Sequence, residues 1–317
     1  MNRIVVAGSL NMDLVGVAAR IPSPGETVLG REFFQAPGGK GGNQAYAAAR
    51  LGGSASMLGR VGSDDYGRVL RANLQAAGCD AGQVKAAPGS SGVALILIDD
   101  AGQNSILVAP GANALYTAAE FEEDAQALAG AALLLLQLEI PIETVTAAAA
   151  AARRAGAKVI LDPAPAPQGL PAELCRLVDI LTPNEVEAAQ LAGVVAERLS
   201  LAEAETIATR LLATGVGAVI VKLGPQGCLV ADRRTMSRIA APAVDAVDTT
   251  AAGDVFNGAL AVALAEQAPL AEACRFAVHA AALSVTRIGA QPSMPLRDEV
   301  DRWMSGGAGL SAPQAAD

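Results

Sequence analysis

The residues Val247-Asp248-Thr249-Thr250-Ala251-Ala252-Gly253-Asp254-Val255-Phe256-Asn257-Gly258 join a loop to an Ala/Leu/Val run that reaches about Leu264. That run has helical composition, which puts Ala251 to Asp254 at or near a helix N-terminus. Unpaired backbone N–H groups and a partial positive charge make such a start an anion site. Small side chains at Ala251, Ala252 and Gly253 let a phosphate reach the backbone. A carboxylate immediately after, at Asp254, would repel that phosphate. It makes chemical sense if Asp254 takes the proton from a hydroxyl while the amides hold the phosphoryl group moving onto it. The purely structural alternative is that Asp248 and Asp254 stabilise the helix dipole and Gly253 eases packing.

A second reactive stretch is Pro37-Gly38-Gly39-Lys40-Gly41-Gly42-Asn43-Gln44-Ala45, which leads into an Ala-rich helix ending near Leu51-Gly52. It is not a Walker A loop, because the glycine spacing differs and no Ser or Thr follows the lysine. A glycine run before a helix still permits close backbone approach, and Lys40 and Asn43 can donate to hydroxyls or to an anion. Asn11-Met12-Asp13 follows the strand-like Arg3–Gly8, where open α/β sheets place ligands; turn hydrogen bonding is the structural alternative there. No G-x-G-x-x-G follows that strand, so a dinucleotide fingerprint is absent. The single histidine, His279, lies in an apolar helix-like run and reads as packed, which leaves acid–base work to carboxylates.

Composition narrows the partners. The chain has 317 residues, 52% hydrophobic but only 3% aromatic, enough for one large α/β domain. A net charge of −9 argues against nucleic acid, which needs a basic face, though not against ATP. No signal-peptide pattern opens the chain, and the longest apolar stretch, Ala131–Leu138, is too short to span a membrane. Cys79, Cys175, Cys228 and Cys274 are far apart and read as reduced core thiols of a cytoplasmic protein.

The positioning elements follow in order. Ser54–Val61 reads as a strand and Asp65–Ala77 as an amphipathic helix. Gly92–Ile98 and Asn104–Val108 flank Asp99–Gln103 as a hairpin, apolar on both faces, one to cover a ligand and the other a second subunit. From Thr117, helices alternate with strands Ala132–Leu138, Lys158–Leu161, Ile180–Leu181 and Ala218–Leu223. Alternation on this scale implies right-handed crossovers and a mainly parallel sheet. Polar or glycine residues cluster at one end of each strand: Glu139, Asp162, Asn184-Glu185-Val186-Glu187, Gly224 to Gly227.

Asp248-Thr249-x-x-Ala252-Gly253-Asp254-x-Phe256 resembles the C-terminal signature of the ribokinase-like (PfkB) sugar kinases, and Gly38-Gly39-Lys40-Gly41-x-Asn43-Gln44-Ala45 resembles their N-terminal one. The resemblance runs from Gly8 to Ser293. Pro24-Gly25-Glu26-Thr27, Gly111-Ala112-Asn113, Asp162-Pro163-Ala164-Pro165 and Gly289-Ala290-Gln291-Pro292-Ser293 look like the ribose-phosphorylating branch. The resemblance implies a three-layer α/β fold with a central mainly parallel sheet and a small β-strand lid. The domain is expected over 1–304, with lid strands from about 12–36 and 91–109 and a disordered tail over 305–317. It implies ATP-dependent phosphorylation of the 5-hydroxyl of ribose, with Mg²⁺, a K⁺ activator and a homodimer through the lid. By resemblance, Asn11, Asp13, Gly39, Lys40, Asn43 and Glu139 contact the sugar and Asp254 is the base beside Ala251, Ala252 and Gly253. Asn184, Glu187, Lys222, Gly224, Gly227 and Val278 match the nucleotide and Mg²⁺ side. Asp248, Thr250, Ser284, Arg287, Gly289 and Ser293 match the monovalent-cation site.

The chain departs from the family pattern in three places. Gly42 replaces a common Ala, and Lys222 a frequent Thr, with its charge free to reach the triphosphate or point to solvent. Val278 aligns with a polar residue near the adenine, with His279 one place late. Alternatives are a kinase for deoxyribose, fructose or pseudouridine, or a sugar-binding sensor that kept the fold; an intact Asp254 speaks against the sensor.

Overall fold

The computed structural model describes residues 3–306. Most of the expected tail, 307–317, therefore lies outside the described residues. The chain opens with β1 (Arg3–Ala7), a buried strand, and passes into β2 (Asn11–Ala18) and β3 (Gly30–Gly38). α1 (Lys40–Arg50), β4 (Ala55–Gly62), α2 (Asp65–Ala76) and β5 (Asp80–Ala87) follow, then the hairpin β6 (Gly92–Ile98) and β7 (Asn104–Ala109). The alternating region comprises α3 (Ala118–Asp124), β8 (Ala131–Leu136), α4 (Ile142–Arg154), β9 (Lys158–Leu161), α5 (Ala172–Leu177) and β10 (Ile180–Leu181). It continues through α6 (Glu185–Leu191), α7 (Leu201–Ala213), β11 (Ala218–Lys222), β12 (Cys228–Asp232) and β13 (Met236–Ile239). The chain closes with α8 (Ala252–Ala265), α9 (Leu270–Ser284) and α10 (Arg297–Met304).

Nine strands form the large sheet in the order β13-β12-β11-β10-β9-β8-β1-β4-β5. All neighbours from β11 to β5 are parallel, and only the edge pairs involving β12 and β13 are antiparallel. Strand alternation sends Ile4 and Val6 into a core shared with α1, α8 and α9, and Val5 and Ala7 into a second core under α4 and α7. Burial on both faces explains why β8 is wholly apolar, and truncating a fully buried member such as Leu135 to Ala would cost about 2–5 kcal/mol. The helices begin at recognisable caps: Asp64 accepts from Gly67 N, while Thr117/Glu120 and Ser200/Glu203 form capping boxes.

A separate four-stranded sheet, β3-β2-β6-β7, leaves the body beside the C-terminal end of β1. β2 runs antiparallel to β3 but parallel to β6, and β6 and β7 form the expected hairpin. Cross-strand partners share a face, so Phe33, Leu95, Leu97 and Leu107 lie on one side and Phe34, Ile96, Ile106 and Val108 on the other. Both sides carry exposed apolar groups, including Phe33 at 65%, Ile106 at 56% and Leu107 at 62%. Among the described residues no helix is long and apolar enough to cross a membrane, and all four cysteines are buried and unpaired.

Candidate active site

Ala251 caps α8 in the left-handed conformation, φ 59°, which bends the incoming loop sharply onto the helix axis. A non-glycine residue there costs on the order of 1–2 kcal/mol, and the surrounding packing must hold it. Ala251, Ala252 and Gly253 line the groove at this helix start, where Ala252 N donates to Thr249 O at 3.3 Å. Asp254 sits on the first turn, only 6% exposed. Its Oδ2 accepts from Asn43 Nδ2 at 3.0 Å and its Oδ1 from Gln44 Nε2 at 3.1 Å. Burial raises its carboxyl pKa to about 6; Asp162 adds to the rise, while Lys40 and the two amides oppose it. A carboxylate so placed is poised to take a proton near neutral pH.

The N-terminus of α1 approaches the same point. Only Gly38 and Gly39 precede this helix, where the sequence suggests that the whole glycine run does; Lys40 is its first residue and Gly41 and Gly42 lie in its first turn. The reason is contact with the end of β1: a Cβ on Gly41 would fall 2.7 Å from the Gly8 carbonyl carbon. Gly39 caps the helix at φ 83°, and a Cβ there would fall 2.7 Å from Asn11 N. Lys40 N donates to Glu139 Oε2 at 3.1 Å, and Ser9 Oγ donates to the same oxygen. Burial works against the charge on Lys40, but Asp254, Asp162, Glu139 and Glu187 together raise its pKa, so the ammonium persists.

Around Asp254 the expected polyol-reading groups are gathered. Asn11 Oδ1 accepts from Asn113 Nδ2 at 2.8 Å, and Asn113 is itself locked to both backbone groups of Leu10. Asp13, at the base of the small sheet, has its pKa raised to about 7 by burial and then by Glu139 and Asp254. Crowded carboxylates around one lysine favour a ligand rich in hydroxyl donors.

On the other side of Asp254 lies a groove of about 790 Å³, bordered by Asn184, Glu187, Lys222, Gly224, Gly227, Gly253, Val278 and Lys40. Asn184 and Glu187 form the capping box of α6 at the end of β10. Burial raises the Glu187 carboxyl, with Lys222 opposing. Lys222 neither points to solvent nor stands free: its Nζ pairs with Asp162 Oδ1 at 2.8 Å. Val278 faces the groove with Val244, Ala282 and Val285, whereas His279, one place on, packs its ring on Trp303 at 5.5 Å. The histidine is thus packed as expected.

Among the described residues no three metal-binding side chains gather, so a divalent ion would rest on phosphate oxygens with one or two carboxylates, as Mg²⁺ commonly does. Glu187 borders the groove and fits that need, whereas both oxygens of Asp162 are taken by Lys222 and Gln44. Asp248 does not cap α8. Its Oδ1 accepts from Thr250 N at 2.9 Å and Thr250 Oγ1 at 2.6 Å, and its Oδ2 from Gly289 N at 2.8 Å. Burial acts to raise its pKa, but these hydrogen bonds outweigh it and the carboxyl lies below its usual range. Asp248 thereby ties the 248–250 loop to the segment after α9. Ser284 and Ser293 turn their hydroxyls to local carbonyls, and Arg287 pairs with Glu299, so these three could offer a cation only backbone oxygens. Such a ring suits a large monovalent ion.

Sequence reasoning missed Gln44. Its Nε2 donates to both Asp254 and Asp162, and its Oε1 accepts from Gln137 Nε2 at 2.6 Å. Asn43 Oδ1 is likewise fixed by Gln291 Nε2 at 3.0 Å. The available signal was helix position: Asn43 and Gln44 are adjacent and lie one turn past Lys40 on a helix whose start faces the site.

A buried carboxylate between a helix start and a cluster of short polar side chains is an arrangement suited to phosphoryl transfer onto a sugar. The description "pfkB family carbohydrate kinase" matches residues 1–297, and the chain belongs to that family. It is 40% identical to the ribokinase of Haemophilus influenzae over 93% of this chain and 96% of that one. A Thermotoga maritima ribokinase structure superposes with TM-score 0.88 at 41% identity, covering 96% of this chain and all of the other. An Arabidopsis thaliana ribokinase, complexed with ribose and ATP, superposes with TM-score 0.89 at 35% identity, over 95% and 98% of the two chains.

Proposed function

We propose that the protein transfers the terminal phosphoryl group of ATP to the 5-hydroxyl of D-ribose, giving ribose 5-phosphate and ADP. Asp254 carries this reading: a buried carboxylate with its pKa raised to about 6, between the groove and the Asn11/Asp13/Lys40/Asn43/Glu139 cluster. The likeness to a ribokinase that binds ribose and ATP supports it. Asp254 accepts the hydroxyl proton as the sugar oxygen attacks phosphorus and the bond to the ADP oxygen breaks. The amides of Ala252 and Gly253 hold the transferring oxygens, and Lys40 offsets their charge. Gly224 and Gly227 leave room for the nucleotide, whose base rests on the apolar strip at Val278. Mg²⁺ bound with the triphosphate beside Glu187 would neutralise phosphate charge. K⁺ within the 248–250 and 284–293 loops would keep the α8 start rigid.

The small sheet is the lid of a single domain over 1–304. Its strands exclude water from the sugar, and its exposed apolar faces pack on the lid of a second copy. Reduced thiols and the use of ATP suit the cytoplasm. A sugar panel read through ADP release tests the substrate: ribose should exceed 2-deoxyribose by at least about tenfold in kcat/KM, because unpaired polar groups reject the deoxy analogue. Equal efficiency, or a preference for fructose, would assign a sister kinase instead.

A further inference from the structure

Lys222 ends β11 and reaches across the end of β10 to Asp162 at the end of β9. Its backbone is pinned, with Lys222 N donating to Pro183 O at 2.8 Å beside a bridge to Asn184. The side chain is only 13% exposed and that of Asp162 3%. The Nζ lies 3.3 Å from the place a Cβ on Gly253 would take, so it sits directly over the first turn of α8. A lysine that merely neutralised Asp162 would have no need of that place. A cation against the positive end of a helix is unfavourable by itself, and the arrangement becomes favourable once an anion lies between them. Asp162 is held from behind, since its Oδ2 accepts from Gln44 Nε2 at 2.9 Å, the same nitrogen that donates to Asp254.

Resting on the phosphotransferase reading, we propose that Lys222 Nζ binds an oxygen of the terminal phosphate of ATP and stays on it during transfer, and that Asp162 is the positioning residue that aims it. Lys222 keeps its protons throughout. The hydroxyl proton goes to Asp254, the sugar oxygen forms the new bond to phosphorus, and the electron pair of the broken bond leaves on ADP. Gln44 then couples the two halves of the site, because one amide orients both the base and the carboxylate that directs the phosphate ligand.

The test compares equilibrium binding of a non-hydrolysable ATP analogue and of ADP, both with Mg²⁺, to the wild type, Lys222→Met, Lys222→Arg, Asp162→Asn and the double variant Asp162→Asn/Lys222→Met. Lys222→Met should lose about tenfold or more in affinity for the triphosphate analogue and less than about threefold for ADP, the loss of one charge-assisted hydrogen bond. Its kcat should fall at least as far with the ribose KM little changed, and Lys222→Arg should recover part of the loss. The double variant buries no unpaired carboxylate, so it reads out the missing lysine even if Lys222→Met folds poorly, and it should remain as defective in triphosphate binding. Recovery of wild-type kcat and triphosphate affinity in the double variant would show that Lys222 only neutralises Asp162 and overturn the proposal. Equal losses for triphosphate and diphosphate would overturn it too. The binding contrast needs no sugar, so a failure to phosphorylate ribose would sink the substrate reading without touching this one.

Discussion

Asp254 does two things that pull against each other. Its first-turn position on α8 puts it against the phosphate-binding amides, and its burial makes the ionised form costly. The Lys40 charge, and then Asn43 and Gln44 with one amide donor each, reduce that cost and leave the pKa near 6 rather than higher. Asp254→Asn should therefore cut kcat by about 10²-fold or more while ATP still binds, since the amide keeps the shape but cannot take a proton. Near-normal turnover would remove Asp254 from the mechanism. A base with a pKa of about 6 works when ionised, so kcat/KM should rise with pH through about 6 and level off above it. A profile flat from pH 5 to 8 would contradict that role. Asp13 makes the same trade-off visible in stability. Its folded pKa of about 7 exceeds the unfolded value of 3.8, so the folded state binds more protons between them and stability declines as pH rises through that window. Asp13→Asn should then raise Tm by a few degrees at pH 8, gain nothing at pH 4, and weaken ribose use. A Tm that falls at pH 8 would show that the carboxylate is satisfied in the free protein.

At the scale of elements, three starts converge: α1 with Gly39 and Lys40, α6 with the Asn184/Glu187 capping box, and α8 with Ala251. The left-handed Ala251 must be held, and the Asp248 loop is what holds it, through Thr250 on one side and Gly289 on the other. If a monovalent ion stiffens this loop, replacing K⁺ with Na⁺ or a bulky organic cation should lower kcat well below the K⁺ value. Asp248→Ala should erase that difference. Activity indifferent to the cation in the intact protein would reject the ion and leave the kinase chemistry standing. These starts were only partly legible beforehand. The α8 start was readable because composition changes abruptly at Ala251. The α1 start was misread by a few residues, because glycines usually mark a loop and here they let the first helical turn press against the end of β1.

For the whole molecule, the small sheet is the conspicuous feature, apolar on two faces and packed on neither along β7. We expect sedimentation to show a dimer at micromolar concentration. Ile106→Asp/Leu107→Asp, which charges both faces, should shift it to monomer and raise the ribose KM, because a lid without its partner closes less well. A wild-type protein that stays monomeric at that concentration would count against assembly through the lid.

Local order along the chain was enough to determine the alternation of helices and strands, the polar strand ends, the hairpin and the reactive stretches at Lys40 and Asp254, since each is a pattern within a few residues. Only the tertiary structure decided what meets. Lys222 looked free to reach solvent or phosphate, and it is kept from solvent by Asp162, sixty positions away, because β11 and β9 flank β10 in the sheet. Gln44, part of the N-terminal signature but given no role from sequence, links two carboxylates from distant elements. Asp248 could have served the helix dipole alone, but it lies three residues before the α8 cap and ties two loops. The physical reason is common to all three. Each pairing joins polar groups from elements far apart in the sequence, and which elements meet depends on long-range packing that no short window of sequence contains.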